Sequence, residues 1–161
     1  MTPVNRKNFG IGESDIRIDV EGRWFYRNQP MTRTDIIELF YRNLILNASG
    51  EYSIRIGPQT YPVVVEDAAY VVWDVRYCSE TEDSEGYLSL LLSDGCREAL
   101  DPETIQIGEN NIPYCHIRNC SHKARFSKAA YYRLADYIRH DPERNSFFLE
   151  IQSRRYPISV S

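Results

Sequence analysis

Long apolar runs are missing from this chain: the longest unbroken one covers residues 68–73, far short of the roughly 18 residues a membrane-spanning helix takes. Residues 1–15 are polar and lack the apolar core of an export leader. No membrane partner is therefore expected. Cysteine is scarce, with Cys78, Cys96, Cys115 and Cys120 the four in 161 residues, which predicts reduced thiols rather than a disulfide framework and so a cytoplasmic location. Phosphate-cradling glycines are missing too: Gly10-Ile11-Gly12 does not open a helix, and no Gly-x-x-x-x-Gly-Lys occurs. There is no Gly-x-Ser-x-Gly elbow, Ser93-Asp94-Gly95 reads as a turn, and nothing in the spacing of His116, His122 and His140 marks a base. No catalytic residue, cofactor or metal is assigned.

What is present is the composition of a folded protein: 42% hydrophobic, 12% aromatic and 26% charged residues. A chain of this length buries about 70% of the surface its unfolded form exposes, enough for one or two small cores. The net charge of −4 hides an asymmetry. Residues 1–114 carry 10 basic and 19 acidic groups, residues 115–161 carry 9 and 4, so the two segments stand at −9 and +5. An acidic molecule with one basic end argues against binding of nucleic acid along its whole surface and leaves that end for an acidic ligand or protein.

Asp15-Ile16-Arg17-Ile18-Asp19-Val20 alternates strictly, placing apolar side chains on one face and charges on the other. With Glu21-Gly22 as the turn and Arg23-Trp24-Phe25-Tyr26 as the return, residues 15–26 read as a hairpin. Thr32-Arg33-Thr34-Asp35 has capping-box spacing, and Ile36, Ile37, Phe40 and Leu44 form the stripe of a helix ending at residues 47–50. Residues 52–56, 61–65 and 70–75 read as strands, 79–86 as an exposed acidic loop, and 87–92 with 96–100 as a hairpin. Residues 113–118 give another strand. Ser127 caps a helix with Ala130, Tyr131, Leu134, Ala135 and Ile138 on its buried stripe, and strands at 147–151 and 156–160 close the chain.

Sliding the chain on itself by 95 residues superposes 32–65 on 127–160 without a gap. Leu39 meets Leu134, Ile56 meets Ile151, Tyr61-Pro62 meets Tyr156-Pro157 and Val65 meets Val160. The expectation is an α+β protein of two related helix-on-antiparallel-sheet units in tandem: residues 1–78, a connecting acidic loop and hairpin at 79–112, and residues 113–161.

Asp15-Ile16-Arg17-Ile18-Asp19 with Gly22-Arg23-Trp24-Phe25-Tyr26, Pro30 and Val65-Glu66-Asp67-Ala68 resembles the bacterial domain of unknown function 1285 family. Pro113-Tyr114, Ala124-Arg125, Tyr131-Tyr132-Arg133-Leu134 and Tyr156-Pro157 are similar to that family's second half. The chain departs from the pattern at residues 118–122 and at Ser153-Arg154-Arg155, where the family usually carries glycine. The resemblance implies an α+β fold of two related motifs, no established activity, and a role in bacterial signalling or regulation.

Cys115-His116, Cys120 and His122 have zinc-ligand chemistry, but on a strand Cys115 and His116 face opposite ways. Asp15, Arg17 and Asp19 read as a solvated charge ladder, with the carboxylates about 13 Å apart and unable to couple. Glu66-Asp67 reads as a strand end. The working surface is expected either in a groove between the repeats or on the basic face, with Arg118, Lys128, Tyr132, Arg154 and Arg155; Trp24 joins it as an aromatic anchor if exposed, but a core position is the favoured reading of that residue. The function read from this pattern is a binding or regulatory module for a protein or small acidic ligand. The alternatives are an enzyme drawing acid and base from Glu66, Asp67 or His116, and a homodimeric scaffold paired through edge strands.

Overall fold

The computed structural model describes residues 15–160, so the Gly10-Ile11-Gly12 stretch lies outside the described residues. The chain divides into two compact units, the first ending at Ala69 and the second beginning at Tyr70. The division falls nine residues before the boundary expected at 78, because residues 70–78 pair with strands of the second unit.

Unit 1 is a six-stranded mixed sheet with one helix, built from β1 (Ile16–Ile18), β2 (Trp24–Tyr26), β3 (Gln29–Pro30), α1 (Thr34–Arg42), β4 (Leu44–Leu46), β5 (Tyr52–Ile56) and β6 (Gln59–Val65). Its strand order is β3-β2-β1-β6-β5-β4, with β1 parallel to β6 and the other pairs antiparallel. Alternation places Ile16, Ile18, Trp24, Ile54 and Val63 in the core. Tyr41, on α1, is buried and donates its hydroxyl to the Ala69 carbonyl at 3.0 Å.

Two expectations are corrected in this unit. Thr32 lies one residue before the N-cap, too far out to cap. Arg33 holds that place without a side-chain bond and grips Asp35 through two contacts of 3.2 and 2.7 Å. The charge ladder is also dissolved: Arg17 pairs with Glu66 at 2.7 Å, Asp15 with Arg27, and Asp19 is buried. Asp19 accepts from the amides of Glu21 and Arg23 and from the Arg23 Nε, tying the hairpin turn. Burial alone raises its pKa, but the Arg23 amide and guanidinium and the Glu21 amide outweigh that and hold the carboxyl below its usual value.

Unit 2 opens with β7 (Tyr70–Cys78), β8 (Tyr87–Leu92) and β9 (Arg97–Ala99), then β10 (Gln106–Ile107), β11 (Pro113–Ile117), β12 (His122–Phe126) and α2 (Lys128–Ala135). It ends with β13 (Ile138–Asp141), β14 (Ser146–Ile151), β15 (Arg154–Pro157) and β16 (Ser159–Val160). A seven-stranded sheet runs β16-β10-β11-β12-β7-β8-β9, and β13-β14-β15 form a three-stranded one. The Leu88, Leu90 and Leu92 side chains are fully buried, and Ser127 caps α2 by accepting the Ala130 amide.

The pairings of unit 1 recur in unit 2. Ile18 pairs with Trp24 across a hairpin and lies parallel to Val65; Ile107 pairs with Pro113 and lies parallel to Val160. Ile54 faces Tyr61 as Leu149 faces Tyr156. By these pairings Pro113 holds the hairpin place of Trp24, and Lys128 follows its strands as Arg33 does. The chain is thus α+β with mixed sheets. Unit 2 differs in breaking its closing strand at the buried Ile158 and in adding β7, β8 and β9 beside β12.

Candidate functional site: a cation-lined cavity at the start of α2

The residues singled out on the basic face separate into distinct places, and only two of them line one cavity. Beside the first turn of α2 opens a volume of about 330 Å³, bordered by Lys128 and Tyr132 from the helix and by Arg125 and Phe126 from β12. Pro113 and the turn Asn110-Asn111-Ile112 complete the wall, with Tyr131 and Ser127. The spacing is dictated locally. Strand alternation buries Ala124 and Phe126 and turns Arg125 to the other face. The Ser127 cap then starts the helix, whose first residue is Lys128.

Among the described residues no carboxylate borders this cavity, while Arg125 and Lys128 do, and the remaining wall is largely apolar. Among the described residues Lys128 makes no ion pair, in contrast to Arg33 with its Asp35. Tyr132, two positions from each of the buried Ala130 and Leu134 and so off their stripe, is 72% exposed at the rim. Asn110 and Asn111 both adopt φ near +60°, a conformation that asparagine tolerates better than other side-chain-bearing residues. The Asn-Asn dipeptide is the turn signal that could have pointed to this wall.

Arg118 is held elsewhere. It opens a turn in which Arg118, Asn119 and Cys120 all take positive φ, at 52°, 56° and 66°. Its amide donates to Glu98 Oε2 at 2.9 Å, its guanidinium pairs with Asp94, whose side chain is 6% exposed, and lies 5.0 Å over the Tyr70 ring. These contacts pin a strained turn and leave the cation facing protein groups. His122 packs 5.1 Å from the same ring. Burial, then the charge of Arg118, pushes its pKa below the ordinary value, with Glu98 opposing.

Arg154 reaches Glu85 at 2.7 Å and borders a smaller hollow of about 110 Å³. Arg155, its neighbour on β15, lies 4.7 Å over the Phe148 ring. Trp24 is no surface anchor: the indole is 1% exposed, stacked edge-on against Tyr41 at 5.0 Å and tilted against Phe40 at 5.6 Å. Its alternation with Phe25 puts it on the same face as the buried Ile18, which removes it from any partner surface.

The cysteine-histidine stretch is not gathered. Cys115 is fully buried, and burial pushes its thiol pKa far up; His116 sits on the other, half-exposed face of β11; and Cys120 is exposed. Among the described residues no group of three or more His, Cys, Asp or Glu is placed to hold a metal ion. The Cys96 thiol is likewise raised, by burial and then by Asp94, so it is not an activated nucleophile. Glu66, named above as a possible acid or base, is held by Arg17.

Fold and site together describe an α+β chain of two small mixed-sheet units, the second carrying a cavity suited to negative charge. No protein-family model matches the chain, and no curated protein is significantly similar to it. Two crystal structures share the fold. A DUF1285 family protein from Silicibacter pomeroyi DSS-3 superposes with a TM-score of 0.73 at 22% identity, over 92% of this chain and 81% of that one. A DUF1285 family protein from Shewanella baltica OS155 gives 0.61 at 19% identity, over 76% of this chain and 91% of that one. The resemblance read from the hairpin and Tyr-Pro segments is therefore a likeness of fold to DUF1285 proteins.

Proposed function

We propose that the protein is a non-catalytic binding module whose second unit takes up a small organic anion in the cavity beside the start of α2. One observation carries the reading: Lys128, which makes no ion pair among the described residues, meets a predominantly apolar wall around about 330 Å³, with no carboxylate among the described lining residues. Volumes of that size sit at the lower end of those that hold small ligands, and apolar walls with a few placed charges are their usual lining. An acid-base enzyme is less well supported, since among the described residues no His, Asp or Glu borders the cavity. The recurring strand pairings support reading the chain as two related units in tandem, with the binding surface developed in only one. Four free thiols support a reducing compartment, and a regulatory role, in which occupancy of the cavity is the signal, fits a binder without chemistry.

The test is calorimetric titration with hexanoate and benzoate, set against the isosteric neutral amides. The carboxylates should bind at least tenfold more tightly than hexanamide and benzamide, and Lys128→Ala should remove most of that preference. Equal binding of acid and amide, or no binding of either, overturns the proposal.

A further inference from the structure

Pro113 stands where unit 1 has Trp24, by the pairings Ile107 to Pro113 and Ile18 to Trp24. In unit 1 the indole is buried against α1 and closes the space between hairpin and helix. In unit 2 a proline ring holds the place, and the cavity opens beside it. At the rim, Tyr132 leaves an aromatic face with 72% of its surface uncovered, the largest exposure of any large hydrophobic side chain among the described residues. The bordering cation Lys128 is the counterpart of Arg33, which Asp35 already neutralises.

We infer that the ligand is an aromatic carboxylate whose flat ring lies between Pro113 and Tyr132, while its acid group pairs with Lys128. This inference rests on the anion-binding reading above and narrows it to a ligand class. A flat ring suits the site because Pro113, Phe126 and the tyrosines offer ring faces and edges, and offset or edge-on ring contacts add to the area they bury. The carboxylate suits it because a charged acceptor gains most from cationic donors at a partly dry wall.

The experiment titrates the full-length chain with indole-3-carboxylate, with hexanoate and with indole-3-carboxamide. Indole-3-carboxylate should bind about fivefold or more tightly than hexanoate, and the carboxamide at least tenfold more weakly than its acid. Tyr132→Ala, at an exposed position, should lower affinity for indole-3-carboxylate about fivefold and leave hexanoate within twofold. Pro113→Trp should fill the space and abolish binding of both acids. If hexanoate matches indole-3-carboxylate and Tyr132→Ala weakens neither, the ring inference is overturned while the anion reading survives. If neither acid binds, both fall.

Discussion

Trp24 and Pro113 take like places in the strand pairings of two hairpins, and their surroundings differ. In unit 1 the position is filled by the largest side chain available, packed against Phe40 and Tyr41. In unit 2 the helix positions 95 residues on, Ala135 and Asp136, are small or polar, and a cavity lies at the start of the helix. The first arrangement closes a core. The second leaves a wall of rings and cations, which contributes little to stability and is open to a ligand.

The largest effect should come from emptying the filled hairpin. Trp24→Ala removes a fully buried indole and should destabilise unit 1 by about 3–5 kcal/mol, read by denaturant unfolding with circular dichroism. The effect is softened because the buried Trp24 Nε1 has no hydrogen-bond partner among the described residues, so Trp24→Phe should cost less than the lost area implies, since it also deletes an unmet donor. If Trp24→Ala leaves the unfolding midpoint unchanged, the contrast between a filled and an open hairpin is lost.

Next in size is the pin under the left-handed turn of unit 2. Arg118→Ala strands the buried Asp94 carboxylate and should cost roughly 3 kcal/mol. Arg118→Ala with Asp94→Asn should recover part of that, since no charge is then left uncompensated. A double mutant no more stable than Arg118→Ala alone would show that the turn does not depend on the pair.

The pH dependence separates the units by direction of cause. His122 has a folded pKa below its unfolded one, so the unfolded chain takes up the proton first. Stability of unit 2 should therefore decline as pH falls through the ordinary histidine range near 6.5. His122→Phe should flatten that decline. Asp19 in unit 1 also has a depressed pKa, so its contribution is present above the ordinary carboxyl value of 3.8 and is lost only as pH falls below it. Thermal midpoints measured between pH 2 and pH 8 distinguish these two windows.

The smallest effects lie in the last turns. Gly57 at φ +60° faces open space, so Gly57→Ala should cost about 1 kcal/mol from backbone strain alone. The aligned pair in unit 2, Gln152-Ser153, takes φ 50° and 69° without a glycine. Gln152 is tied by its side chain to the Gly86 amide at 2.6 Å and to the Tyr77 hydroxyl at 2.5 Å. Ser153 has no such tie, and Ser153→Gly should stabilise the chain by about 0.5–1 kcal/mol, visible as a rise in midpoint.

Much of this was legible in the order of residues. The spans of β5 and β8 follow directly from their apolar and aromatic runs, and the first hairpin from its alternation. Five strands were not, two of them the two-residue β3 and β10. β4 and β13 each follow a helix so closely that Leu44 and Ile138 extend the helical stripe, and periodicity alone cannot tell a last turn from a return strand. β12, with the sequence His-Lys-Ala-Arg-Phe, carries charges that suggested an exposed basic surface, yet Ala124 and Phe126 alternate into the core and the strand lies inside a sheet. For the site, cationic and aromatic character near Lys128 and Tyr132 was visible. What was hidden is pairing: sequence cannot show that Asp94 and Glu98 claim Arg118, that Glu85 reaches Arg154, or that Pro113 borders a cavity.

Nuclear magnetic resonance titration of the isotope-labelled chain with indole-3-carboxylate tests the account most directly. It predicts saturable shifts of the backbone resonances of Asn111, Arg125, Lys128 and Tyr132, with none at Arg33, Ile36 and Ile37 on the closed counterpart. Shifts of equal size in both units, or perturbations centred on Arg154 and Arg155 instead, would contradict it.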